Sequence, residues 1–485
     1  MSFDPESNRP GAASDAFHPS RRDLLKMGLG ASVLVATSRK SIAAETTVLK
    51  RQDAATLSSD QKQNFCLAIR TMKTIPAPWD PTLNYYDAIV KMHAFAVRDA
   101  MLGRPAYGEN IPARNPSDDV NYGNGHKTAA FFPFHRKVVH LFEQGLNAAL
   151  AKNGKPGMGA PYWDWRDDVA HDVIFNRDFM GSATGDPERN YAVTEALSTH
   201  FHPDVFPINI VTVPMGSGDN VNQCPFPNIT RAAATSGVQP LFPTSLFTTM
   251  ELPTSSDVEM ALKIENYDLG SFDGLAPTLY DLSFDDPGNA ANFSQASFRN
   301  HFEGNWPAPP NFNPADPGDA RMFSGGGLHN RVHAWIAGSW KPDANSWRFN
   351  GGTRTWSALT TAASTTAATG DSCDDCTCTV AAQLPIYVGT MLALQTSLND
   401  PIFFLHHAFC DYLWHRWMED HGKFTPATGS YAPASGSITG WNADDDMYPY
   451  TIYKGKPGMG EDITPASMAV RTTELGYEFV KNRDV

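Results

Sequence analysis

The stretch Asn399–Trp417, "NDPIFFLHHAFCDYLWHRW", sets His406 and His407 side by side in a run that is otherwise apolar and aromatic. Its composition and length predict a helix from Pro401 to Glu419. Successive helical residues diverge by about 100°, so the two imidazoles cannot both aim at one point. One is a candidate functional group, and the other is its neighbour in the core.

Three more segments show histidines in helical register. In "YYDAIVKMHAFAVRDAML", Tyr85–Leu102, the positions Tyr86, Ile89, Val90, His93 and Val97 share one face, so His93 points inward with the apolar stripe. In "HKTAAFFPFHRKVVHLFE", Pro133 suits the first turn of a helix read from Phe134 to Leu150. His135 then shares a face with Val138, Val139, Phe142 and Leu146, whereas His126, across the break, must approach from a loop or a separate turn. His140 points elsewhere and reads as structural or exposed. In "GGGLHNRVHAWIAG", His329 and His333 stand one turn apart on a helix from His329 to Ile336, and the glycines before it permit a tight backbone approach.

The sum is His93, His126 and His135, then His329, His333 and one of the adjacent pair. Two cages of neutral nitrogen ligands with no carboxylate suit copper better than calcium or magnesium, while zinc stays open on ligand type alone.

The rest of the chain bounds this picture. With 485 residues, 41% of them hydrophobic, it can bury a large core in one domain or two. A formal charge of −14 argues against nucleic acid and anionic membrane surfaces as partners. Long Pro-, Gly-, Asn- and Ser-rich stretches, one starting at His202 and one ending at Cys378, read as loops. Residues 1–44 are set apart: "SRRDLLKMGLGASVLVATSRKSIAA", Ser20–Ala44, pairs Arg21 with Arg22 ahead of a short apolar centre and a small-residue end. It resembles a twin-arginine export signal, too short in its apolar part to span a bilayer. The resemblance implies export to the periplasm or beyond, a route used by proteins folded around a cofactor, and an oxidising compartment in which some of the six cysteines could pair.

The segments "HKTAAFFPFHRKVVHLFE", "PYWDW" at Pro161–Trp165, "FRNHFEG" at Phe298–Gly304, "LHNRVHAW" at Leu328–Trp335 and "NDPIFFLHHAFCD" at Asn399–Asp411 resemble, in order, the signature segments of the tyrosinase family of type-3 copper proteins. The resemblance runs from about Tyr85 to Tyr477. It implies a mainly α fold, a central four-helix bundle holding a dinuclear copper site, with little β and with loop insertions near 203–295 and 339–390 in a single domain over 45–485. It also implies two copper ions, O2 as co-substrate and a small phenolic substrate.

Carried over, the family pattern makes His93, His126 and His135 ligands of the first copper, and His329, His333 and His407 ligands of the second. It leaves His406 without a role. Glu303 and Asn330 match the pair that holds a proton-accepting water for monophenols, and Asp411, one turn past His407, is placed to orient an imidazole by a hydrogen bond. Phe131, Phe132, Phe134, Phe403 and Phe404 would give aromatic surroundings, though most read as ordinary core. Ala334, after His333, and Leu394, before "NDPIFF", fall at positions that bear on substrate access. Asn124 stands where some relatives have a cysteine, so no thioether to His126 is expected. Cys373, Cys376 and Cys378 read as a loop disulfide or a landing site for Cu(I). "ELGYEFV" resembles the segment closing the family core, and no C-terminal shielding domain is expected. Self-association and a copper chaperone are further partners to consider. The implied activity is oxidation of monophenols to o-diphenols and of these to o-quinones. Catechol or o-aminophenol oxidation alone, and haemocyanin-like oxygen carriage, are the alternatives.

Overall fold

The computed structural model describes residues 48–102, 125–126, 128–189, 191–209, 228–233, 247–249, 252–268, 297–303, 327–337, 340–342, 347–350, 355–358, 384–385, 389–391, 397–433 and 442–480. They belong to one structural unit, Val48–Val485. Its helices in chain order are α1 (Ser59–Met72), α2 (Tyr85–Leu102), α3 (Phe131–Lys152), α4 (Asp168–Ile174), α5 (Ser255–Leu262), α6 (Phe298–Glu303), α7 (Leu328–Ala337), α8 (Ile402–Asp420) and α9 (Pro465–Met468). Short strands β1 (Leu49–Arg51), β2 (Phe247–Thr249), β3 (Trp340–Pro342), β4 (Trp347–Asn350), β5 (Thr355–Ala358), β6 (Leu384–Pro385) and β7 (Tyr477–Phe479) accompany them, so the fold is mainly α as expected. No described helix is long and apolar enough to cross a membrane.

The histidine-bearing helices form where the apolar patterns predicted them. Every residue of α8 from Ile402 to Trp414 is buried. A helix buried on all sides belongs in the core, where α8 packs against α3 and α5. α3 begins at Phe131 rather than Phe134, which puts Pro133 inside its first turn, where a missing N–H breaks no helical bond. α3 packs against α1, α2 and α8. The rings of Phe142 and Phe404 stack at 3.9 Å and 8°, a pairing worth about 0.5–1.5 kcal/mol beyond its buried area. Gly145 lets α2 come close, because a Cβ there would meet the Tyr85 ring at 2.5 Å.

Several elements fall in stretches that read as loops. β5 lies inside the Ser- and Thr-rich segment ending at Cys378, and α5 lies inside the insertion near 203–295, closed by a capping box of Thr254 and Asp257. β1 and β7 pair in parallel, Leu49 with Tyr477 and Arg51 with Phe479, joining opposite ends of the body. Of the cysteines, Cys66 and Cys410 are buried and free, while Cys224, Cys373, Cys376 and Cys378 lie outside the described residues, as do Asn124 and residues 1–47.

Candidate metal centre

Two groups of buried histidines converge in the core. In the first, His93 Nε2 lies 3.2 Å from His126 Nε2 and 3.4 Å from His135 Nε2. α2 and α3 supply His93 and His135, and His126 comes from a bend before α3, as its spacing required. The second group holds His329 and His333 from α7 with His406 and His407 from α8. There His329 Nε2 and His407 Nε2 are 3.2 Å apart.

The adjacent pair divides by orientation. His407 stacks on His135 of the other group, at 4.3 Å and 19°, so it faces the space between the groups. His406 stacks instead on His329 of its own group, at 5.2 Å and 21°. One of its ring nitrogens is engaged by the backbone carbonyl of His329, and Cys410 Sγ lies 3.8 Å away. Four histidines thus sit close enough to share an ion, but His407 turns toward the opposite cage and His406 braces α7 against α8.

The donor set fits a metal. His135 Nδ1 donates to Phe131 O at 2.8 Å, His333 Nδ1 to Met391 O at 2.8 Å and His329 Nδ1 to Asn330 Oδ1 at 2.9 Å. Each bond places the proton on Nδ1 and leaves the Nε2 lone pair free. Burial, reinforced by neighbouring imidazoles, holds His135, His329, His406 and His407 well below the ordinary histidine range. Burial, aided by His126 and opposed by the hydrogen bond to Met391, takes His333 down to about 4. Neutral lone pairs facing one another at these distances repel, and one proton could bridge only a single pair; a cation in each cage satisfies them together. His333 Nε2 is buried with no hydrogen-bond partner among the described residues.

Phe131 and Phe403 close the centre from two sides. Phe131 lies 4.7 Å from His135 and 4.9 Å from His329, and Phe403 lies 4.0 Å from His407 and 5.4 Å from His93. Phe132 and Phe404 pack away from the histidines, on Phe298 and Phe142, and Phe134 meets both His135 and Tyr450.

Glu303, on α6, is fully buried, and its Oε1 faces His126 Nδ1 at 3.6 Å. Its distance in sequence from His329 is closed by a backbone bond: Gly327 N donates to His301 O at 2.8 Å, with Gly327 at φ 78° just before α7. His126 and His329 are ring neighbours at 5.8 Å, so Glu303 and Asn330 border adjacent imidazoles, one from each cage. Asp411 does not orient an imidazole, contrary to the sequence expectation. Its two oxygens are taken by Arg136 Nε at 2.5 Å, Arg51 NH1 at 2.8 Å and Tyr477 Oη at 2.5 Å. Although α8 carries it past His407, the strong cations on α3 and β1 claim it. Leu394 lies outside the described residues, as does the side chain of Ala334.

The chain is similar to known proteins. The model of the common central domain of tyrosinase matches residues 83–420, which spans all the histidines above. A tyrosinase of Streptomyces lincolnensis is 26% identical over 430 residues, covering 88% of this chain and 98% of the relative. One of Gallus gallus is 26% identical over 456 residues, covering 90% and 64%. The structure of a polyphenol oxidase from Thermothelomyces thermophila overlaps 90% of this chain and 89% of its own, at 15% identity and a TM-score of 0.43. That family is built around a dinuclear copper centre, and the two histidine cages fit one. The chain belongs to the tyrosinase family.

Proposed function

We propose that the protein is a copper-dependent oxidase of phenols that uses O2 to convert monophenols to o-diphenols and these to o-quinones. The observation that carries this reading is the facing of two neutral histidine cages in one buried core, with His407 stacked on His135 across the divide. His93, His126 and His135 would hold one copper, and His329, His333 and His407 the other. Bound there, the pair supplies redox-active Lewis-acid sites for O2 and a phenolate.

The chain's own residues do the rest. Backbone and Asn330 acceptors lock the imidazoles in one tautomer. Phe131 and Phe403 keep bulk water from the histidines and offer aromatic surface. Glu303 accepts the phenolic proton through a water that the Asn330 amide helps to hold. The relatives named tyrosinase support this reading, and the Arg21–Arg22 leader supports export.

The test is quinone formation by copper-loaded protein given a monophenol and a catechol separately. Both should yield quinone, and Glu303→Gln should lower monophenol hydroxylation by about 100-fold while sparing catechol oxidation. No quinone from either substrate would sink the enzyme reading and favour oxygen carriage. Activity on catechol alone would restrict it to catechol oxidation.

A further inference from the structure

Glu303 is not alone in its buried pocket. Arg299, one turn earlier on α6, is itself buried and donates from NH1 to Glu303 Oε2 at 3.0 Å and from NH2 to Asp268 Oδ1 at 2.8 Å. One guanidinium therefore spans two buried carboxylates from different segments, the fork geometry that lysine cannot reproduce. The arrangement is rigid. Arg299 N donates to Tyr267 O at 2.9 Å and Phe298 N to Asn266 O at 2.8 Å, tying α6 to the segment that carries Asp268. Phe298 stacks on Phe132 at 7° and on Trp417 at 8°, which fixes α6 against α3 and α8.

We infer that Arg299 is a positioning residue for proton transfer. By holding Oε2, and being held from behind by Asp268, it sets the rotamer of Glu303 so that Oε1 alone is presented beside His126. The inference rests on the role proposed above for Glu303. It adds that the line Asp268–Arg299–Glu303 separates hydroxylation, which needs an aimed proton acceptor, from diphenol oxidation, which does not need this one. Loosening the line leaves the histidine cages intact and lets the carboxylate turn away.

Arg299→Lys keeps the charge and removes the fork, and the double variant Asp268→Asn with Arg299→Gln removes one charge of each sign, so the net charge of the pocket is unchanged while Glu303 loses its clamp. Each is loaded with copper, checked for metal content and near-ultraviolet dichroism, and assayed on a monophenol and a catechol beside Glu303→Gln. The expected result is a fall of about 10-fold or more in monophenol kcat in both variants, with catechol kcat and copper content within about 3-fold of wild type. Equal losses on both substrates, or unchanged hydroxylation in a folded, loaded variant, overturn the inference. If Glu303→Gln impairs hydroxylation and Arg299→Lys does not, only the inference fails; if Glu303→Gln also leaves it intact, the reading of Glu303 fails as well.

Discussion

His406 and His407 are neighbours in sequence and differ in what their rings touch. His407 crosses to His135 and Phe403; His406 stacks on His329, with its ring bound to the His329 backbone. His407→Ala should therefore leave the second cage short of a ligand, and the purified protein should carry about half the copper of wild type, since a three-ligand site is broken. His406→Phe keeps the stacked ring and removes the hydrogen bond, and should retain both ions with affinity lowered about 10–100-fold. Copper content after dialysis against a graded chelator reads both, and a reversed order would exchange the roles. Helix geometry in the sequence said that one of the two must differ, but the choice came from the family pattern. The physical reason, the direction in which the other cage lies, involves residues far along the chain. His93 and His135 were legible because each sits in an apolar stripe; His126, outside any helix, was legible only as a histidine approaching from a loop or a separate turn.

At the scale of elements, the helices that bear metal ligands were visible in the sequence, and what braces them was not. β1 contributes Arg51, which is buried between Glu143 of α3, at 2.8 Å, and Asp411 of α8, at 2.8 Å, with its guanidinium 3.5 Å over the Tyr477 ring of β7. Burial would discourage the Asp411 carboxylate, yet Arg136 and Arg51 hold its pKa below the usual range. Arg51→Met strips the shared cation from two buried carboxylates and should destabilise the protein by roughly 3–5 kcal/mol. A urea midpoint unchanged from wild type would show that the network contributes little. Arg51 and Asp411 stand 360 residues apart, and no local pattern announces such a pair. α1 is a different omission: Ser58 and Gln61 form a capping box in plain view of the sequence, but its polar, weakly periodic composition hid the helix behind them.

For the molecule as a whole, the buried imidazoles set the response to acid. Unfolded histidines titrate near about 6.5, whereas His140, His301 and His333 are held down to about 4 and His135, His171, His200, His329, His406 and His407 are also depressed. Below about pH 6.5 the unfolded chain binds more protons than the folded one, so stability is full above that pH and falls as the pH drops toward 4. His333 alone accounts for about 3 kcal/mol of this loss, with the others adding to it. Asp411 has the opposite charge type with the same direction of loss, but its contribution disappears only below about pH 3.9, so the earlier decline belongs to the histidines. Metal competes with protons for the same lone pairs, and copper loading should move the decline to lower pH. Urea midpoints at pH 7 and 4.5, with and without copper, would show it; equal midpoints at both pH values in the metal-free protein would exclude it. Composition and charge had indicated a large core and an acidic chain, and the apolar helix faces pointed some histidines inward, but burial depth had to come from the packing.

The parallel seam of β1 and β7 lays Leu49 beside Tyr477, so the described body begins and finishes at one place. Such a protein is topologically close to a ring. A circular permutant joined across that seam and opened at the exposed turn around Gly154 would thread the histidine helices in a new order along the chain while leaving each imidazole where it stands.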